Sequence, residues 1–359
     1  MTRRLAFVAP AVAIVALLLS WERELSFWAF ALDLVVLGSV VVAAVYHAEV
    51  LARRVGEPFG TLVLAVAVTV IEVALIVAVM LASRGEPSSL AGDTVFSVVL
   101  ITCNGIVGLS LIIAAFRHRV PTFSAEGSGA ALATLAALAT LTLVVPRFTT
   151  SSPGPTLTGA QLTFAALASL LLYGLFVFVQ AIRHREFFVP ESEDNGSIVG
   201  QLDGDVPSNR DAVTSLVVLF IALVGVVGLA KTVSPNIEEA THQAGFPPAF
   251  VGVVIAALIL LPEGATAVRA AWDDRVQASM NLALGSAMAS IGLTIPVIAV
   301  VSQIIDTPLL LGLSSVQVVL FALTMFVAAL TITPGRSTVM QGGVHLVLFV
   351  GFVVLSASP

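Results

Sequence analysis

Apolar residues run unbroken for most of a helix length at a time along this 359-residue chain, and polar residues crowd into the gaps. Eleven such runs can be bounded, at about 5–20, 27–46, 60–82, 93–116, 128–146, 160–182, 213–231, 249–271, 276–301, 308–331 and 340–357. A helix crosses a bilayer core with about 20 consecutive apolar residues. Each run therefore predicts one transmembrane helix, the first being short. The gaps carry turn chemistry: Gly85-Glu86-Pro87, Ser151-Ser152-Pro153-Gly154-Pro155, Phe246-Pro247-Pro248 and Thr333-Pro334-Gly335. Arg3 and Arg4 ahead of the first run imitate a secretory signal. Trp21-Glu22-Arg23-Glu24 follows it with no small-residue cleavage pattern, so a retained first span is expected.

The charges in the gaps test this count. Numbering the gaps alternately puts Arg3, Arg4, Arg53, Arg54, Arg117, Arg119, Arg183, Arg185, Arg210, Arg269, Arg275 and Arg336 on one side. Arg23, Arg84, Arg147 and Lys231 fall on the other, which accounts for all 16 basic residues. Cytoplasmic loops carry the excess of Lys and Arg, so the N-terminus is expected in the cytoplasm and the C-terminus outside. The longest gap holds Glu186, Glu191, Glu193, Asp194, Asp203, Asp205 and Asp211. It reads as a solvated cytoplasmic tether or a weak cation-sensing segment; its acids lack the spacing of a calcium loop.

Two stretches repeat each other. Aligning Glu72 with Glu263 aligns Ala65 with Ala256, and the next spans also match, Ile106-Val107-Gly108-Leu109-Ser110 against Ser290-Ile291-Gly292-Leu293-Thr294. Each glutamate falls in the second helix of a set of five. Because five is odd, the two sets enter the membrane from opposite sides, an arrangement that places a transporter's site at the repeat interface. The expected fold is an all-α integral membrane protein of eleven transmembrane helices, one extra N-terminal helix plus two inverted five-helix repeats. Its parts are an N-terminal helix (1–24), a first repeat (25–185), an acidic cytoplasmic linker (186–211) and a second repeat (212–359).

Composition agrees. Hydrophobic residues make up 58% and charged residues 11%, against roughly a quarter charged in a soluble domain. The single cysteine, Cys103, excludes an internal disulfide, and the five histidines are scattered. No HExxH, P-loop, GxGxxG or GxSxG pattern is present, which speaks against a hydrolase or an ATP-driven pump, and no enzyme is expected.

Away from the ends of the runs, the only acidic residues among the 22 are Asp33, Glu72 and Glu263, and no basic residue lies there to neutralise them. An ionised carboxylate in a bilayer costs about 3 kcal/mol or more, so a bound cation or protons must supply the charge. Thr69 and Thr266 each share a helical face with their glutamate. Asn104 on the next helix of the first set, and Asn281 and Ser286 on that of the second, add candidate oxygens. Pro262 beside Glu263 frees backbone carbonyls, while Glu72 has no such neighbour. The candidate cation- and proton-binding set is thus Glu72, Glu263, Asn104, Asn281, Thr69, Thr266 and Ser286, with the two glutamates as metal ligands. Asp33 is either an accessory proton carrier or a helix contact. Two carboxylates with neutral oxygens suit calcium, or sodium with one glutamate protonated. Cation and protons then compete for the same oxygens, which is the minimal mechanism of an antiporter. A passive cation channel and a membrane-embedded enzyme are the rival classes.

Several motifs resemble the ChaA-type bacterial calcium/proton antiporters of the calcium/cation antiporter superfamily. They are His47-Ala48-Glu49 with Gly56-Glu57-Pro58-Phe59-Gly60-Thr61 and Thr69-Val70-Ile71-Glu72-Val73-Ala74; Thr102-Cys103-Asn104-Gly105; Leu261-Pro262-Glu263-Gly264-Ala265; and Met280-Asn281 with Gly292-Leu293-Thr294-Ile295-Pro296. The resemblance implies eleven spans, a first helix outside the repeats, cation and proton ligation by Glu72 and Glu263, and a ligand role for Asn104. Many relatives have serine where Cys103 stands, and eukaryotic-type relatives often have glutamine near Ala289. The family is associated with sodium and potassium as well as calcium. The partners expected are these transported ions, with protons, and membrane lipid, with no nucleic acid and no resident cofactor. The location expected is the inner membrane of a prokaryote.

Overall fold

The computed structural model describes residues 3–21, 23, 25–56, 59–82, 89–189, 206–247, 249–305 and 307–358. They form eleven helical rods: α1 (Arg3–Ser20), α2 (Phe27–Val55), α3 (Phe59–Ala82), α4 (Leu90–His118), α5 (Ala125–Phe148), α6 (Gly159–Arg183), α7 (Asn209–Gln243), α8 (Ala249–Trp272), α9 (Val276–Ile304), α10 (Ser315–Ile332) and α11 (Val339–Ala357). Nine of the described rods are long and apolar enough to cross a bilayer. Of the other two, α1 has a shorter apolar part, Arg4–Ser20, and α3 is apolar throughout save Gly60, Thr61, Thr69 and Glu72. Large side chains such as Trp28 (80% exposed) and Phe116 (75%) face outward, as rods solvated by lipid require. Most of the acidic linker expected over 186–211, with Gly85-Glu86-Pro87 and the Glu57-Pro58 pair, lies outside the described residues.

Three boundaries differ from the hydropathy pattern. α2 runs to Val55, past His47 and Glu49, because its stop signal comes only at Gly56, whose φ of 75° ends the helix. α7 runs to Gln243, so Lys231, expected at a span end, sits within a helix and lays its ammonium 4.9 Å from the Trp21 ring centroid. The run expected as a helix from 308 begins instead with a non-helical segment. Leu309, Leu311 and Leu313 are buried there, and the helix starts at a capping box built by Ser314 and Gln317.

The chain falls into two compact units that cut across the repeats. The first (Met1–Glu86 with Ser197–Val251) holds α1, α2, α3 and α7, with α2 and α7 each packed on all the others. Its polar contacts are helix staples. His47 is fully buried, with Nε2 3.2 Å from Ala6 O and Nδ1 3.1 Å from Ser215 Oγ. A carbonyl only accepts, so Nε2–H donates to Ala6 and Nδ1 accepts from Ser215. Ser20 Oγ donates to Asp33 at 2.5 Å, so Asp33 serves as a helix contact.

The second unit (Pro87–Gly196 with Gly252–Pro359) holds α4, α5, α6, α9, α10, α11 and α8 from Gly252. α4 and α9 are its most buried rods. Its loops sort onto two ends, as alternate crossings demand. At one end Phe123 N donates to Gly335 O and Ser337 N to Pro121 O. At the other, Gly312 N donates to Pro155 O and Leu313 N to Leu143 O.

Candidate functional site

Glu72 lies mid-helix on α3 and is 3% exposed; Thr69, one turn earlier on the same face, is 5% exposed. Glu263 is partly exposed on α8, and Ser286 Oγ of α9 donates to its Oε2 at 3.0 Å. α8 stays helical through Pro262. The glycine after the glutamate lets α4 approach: a Cβ on Gly264 would meet Ile106 Cδ1 at 3.2 Å. Thr266 is exposed, and its hydroxyl donates back to Pro262 O at 2.9 Å. Ser286 is thus the one expected companion that the described contacts bring to Glu263.

Asn104 sits fully buried in a π-helical turn, Ile101–Ile106, in the middle of α4. Such turns recur at functional sites because they shift side chains out of the helical register. Asn104 Nδ2 donates to Thr324 Oγ1 on α10 at 2.8 Å, and its Oδ1 lies 3.0 Å from His345 Nδ1 on α11. His345 Nε2 lies 3.1 Å from Thr331 Oγ1. Because Oδ1 is an acceptor, His345 carries its proton on Nδ1 and accepts from Thr331 through Nε2. Both polar ends of the Asn104 amide are therefore committed to α10 and α11. Close packing supports this register: a Cβ on Gly108 would lie 2.9 Å from His345 Cβ and 3.1 Å from Gly342 O. His345→Leu is expected to destabilise the protein by about 2 kcal/mol by orphaning Asn104 Oδ1. Adding Asn104→Leu should cost less than the sum of the two single changes; thermal melts in detergent through a double-mutant cycle read that coupling.

Asn281 does different work. Its Nδ2 donates to Phe188 O at 2.6 Å, and its Oδ1 accepts from Gln277 Nε2 at 2.7 Å. It fastens the segment after α6 onto the start of α9. Sequence reasoning missed His345, whose lone position in an apolar run looks like a core residue until α4 packs on it. It also missed Asp93: α4 starts at Leu90, so Asp93 is inside the helix and 7% exposed, which corrects the count of acids within spans. Among the described residues no three His, Cys, Asp or Glu side chains converge as a metal cluster.

Apolar rods in two sets of five, each with a carboxylate inside its second rod and neutral hydroxyls or amides in the next, define a membrane exchanger. The chain belongs to the family described as sodium/calcium exchanger protein, whose profile matches residues 25–182 and 214–357. It is 45% identical to the putative ionic transporter y4hA of Sinorhizobium fredii over 90% of this chain and 87% of that protein. It is 31% identical to the sodium-potassium/proton antiporter ChaA of Escherichia coli over 97% of this chain and 94% of that one. The solved structure of native YfkE shares its fold, with a TM-score of 0.72 at 17% identity over 98% of both chains.

Proposed function

We propose that this chain is a secondary active cation/proton antiporter exchanging calcium for protons, with cation and protons competing for the carboxylates of Glu72 and Glu263. The observation that carries the reading is a carboxylate inside each of two corresponding apolar rods, one of them buried and the other held by a serine hydroxyl. Neither carboxylate can cross the cycle empty and ionised at acceptable cost, so each carries cation or proton. YfkE is described as a Ca2+/H+ antiporter, which favours calcium. The ChaA relative, a sodium-potassium/proton antiporter, supports a second reading in which the cation is monovalent. Asn104, Thr69, Thr266, Asn281 and Ser286 are the companion residues of this reading: Ser286 orients Glu263, Asn104 orders the centre of α4, and Asn281 secures the start of α9. The basic-residue asymmetry supports a cytoplasmic N-terminus in the inner membrane of a prokaryote, and the acidic linker reads as a cytoplasmic tether.

The test is proton flux in everted vesicles holding a respiration-driven pH gradient. Calcium alone is expected to collapse the gradient in wild type. Collapse only by sodium or potassium keeps the antiporter and changes the ion. Cation movement without proton counterflow indicates a channel and removes the proposal.

A further inference from the structure

Asp93 is not used by the exchange chemistry above, yet the second unit closes around it. It lies in the first turn of α4 and is 7% exposed. From α10, Gln317 Nε2 donates to Asp93 Oδ1 at 2.9 Å. The orientation of that amide is set independently. Gln317 Oε1 accepts from Ser314 N at 2.8 Å in the α10 capping box, which leaves the NH2 end to face Asp93. From α8, Gly252 comes so close that an added Cβ would lie 3.1 Å from Asp93 Cβ and 2.9 Å from Thr94 N. From the segment before α10, Leu310 O would lie 2.9 Å from a Cβ on Gly92. Ser89, exposed at the helix entrance, is a second side-chain hydrogen-bond partner of the same carboxyl. Among the described residues no ionisable side chain faces Asp93 from α8, α10 or the Leu309–Leu313 segment.

The result is two orphaned oxygens. Asp93 Oδ2 is buried without a hydrogen-bond partner, and so is Thr94 Oγ1 on the next, fully buried residue. A buried carboxylate oxygen left unpaired must be neutralised by a cation or a proton. One carboxylate with an amide and hydroxyls falls short of the 6–8 oxygens that calcium takes. A proton on Oδ2 cancels the charge with no further ligand. Glu263 lies further along the same α8 that packs on Asp93 through Gly252, about 16 Å on at 1.5 Å per residue.

We propose that Asp93 is a proton-binding site at the end of the second unit where α4, α8 and α10 begin, loading protons bound for Glu263. Its Oδ2 takes one proton from a hydronium ion, which becomes water, and the carboxylate becomes neutral. The same proton leaves for the Glu263 carboxylate as the cation departs, and no other bond changes. The destination rests on the antiporter reading, whereas the site itself does not.

Two measurements on the full chain in lipid separate these. Wild type and Asp93→Asn are compared in proteoliposomes for isotopic cation self-exchange and for proton-coupled flux, using whichever of calcium, sodium or potassium wild type exchanges. Coupled flux is expected to fall about tenfold or more with self-exchange retained, and Asp93→Glu is expected to restore it. Equal loss of both fluxes, or no loss of coupled flux, overturns the proton-loading role. The second measurement is infrared difference spectroscopy across pH. It is expected to show a protonated carboxylic-acid band in wild type that Asp93→Asn lacks, and absence of an Asp93-dependent band overturns the site. Should Asp93→Asn not fold, the band is read with carbon-13 carboxyl-labelled aspartate in an Asp33→Asn chain, which removes the other aspartate buried among the described residues. A wild type that moves no cation but shows the Asp93 band leaves the proton site standing and removes the antiporter reading.

Discussion

Glu263→Gln is expected to lower cation-driven proton flux by about 100-fold or more, while the protein still inserts and purifies as a folded species. The substitution preserves shape, and the Ser286 hydroxyl that donates to Oε2 at 3.0 Å in the wild type can donate equally to an amide oxygen. What is lost is the negative charge and the ability to take a proton. A hydrogen bond or ligand contact to a charged group is worth about 3 kcal/mol at most, and 1.4 kcal/mol corresponds to about tenfold. Loss of one such contact gives the 100-fold figure, and loss of the proton cycle deepens it. Glu72→Gln on α3 is expected to behave in the same way. Ser286→Ala, which removes only the donor to Oε2, should weaken exchange by about tenfold. The check is flux per folded transporter, with folding read by size exclusion and thermal melts. Wild-type flux in well-folded Glu263→Gln would remove this carboxylate from the mechanism.

The second large effect is structural. Gly108→Leu is expected to destabilise the second unit by about 3 kcal/mol and to abolish exchange with it. α4 and α11 cross at Gly108 and Gly342. A Cβ on Gly108 would lie 2.9 Å from His345 Cβ and 3.1 Å from Leu346 N, and one on Gly342 would lie 2.8 Å from Gly108 O and from Ile112 N. Backbone neighbours cannot rotate away as a side-chain tip can, so the helices must part. Membrane helices gain most of their association energy from this kind of close backbone packing. Parting them also breaks the His345–Asn104 contact at 3.0 Å. A thermal melt in detergent is the measurement; an unchanged melting temperature would show that α11 can shift without cost. Gly343, next to Gly342 in sequence, has open space where a Cβ would go, and Gly343→Ala is the neutral control.

The number of rods was legible because a bilayer demands a long apolar run per crossing, and each run announces itself without tertiary information. The rod ends were less legible. Leu309, Leu311 and Leu313 are as apolar as a helix, yet they form a buried loop, because burial inside protein and burial in lipid leave the same hydropathy signature. The polar second half of α7, from Thr232 to Gln243, is helical despite reading as a gap, since helix formation there does not need a uniformly apolar surface.

The candidate site divides along the same line. Glu72 and Glu263 were evident from sequence alone, because a carboxylate inside an apolar run is costly wherever the helices go and its repetition in two sets of five marks it as deliberate. Which neutral oxygens serve them was not evident, since helical spacing states which residues share a face but not what that face meets. Only the tertiary structure brings Ser286 to Glu263, commits Asn104 to Thr324 and His345, and turns Asn281 to the Phe188 carbonyl. The same is true of Asp93, which reads as a polar residue at a span edge until α8, α10 and the preceding segment close over it. Sequence by itself determined the apolar solvent, the count of helical rods and the two carboxylates that stand deep within them as candidates. Partnership between oxygens far apart in the chain was decided by packing, because it depends on distances of about 3 Å that no one-dimensional pattern encodes.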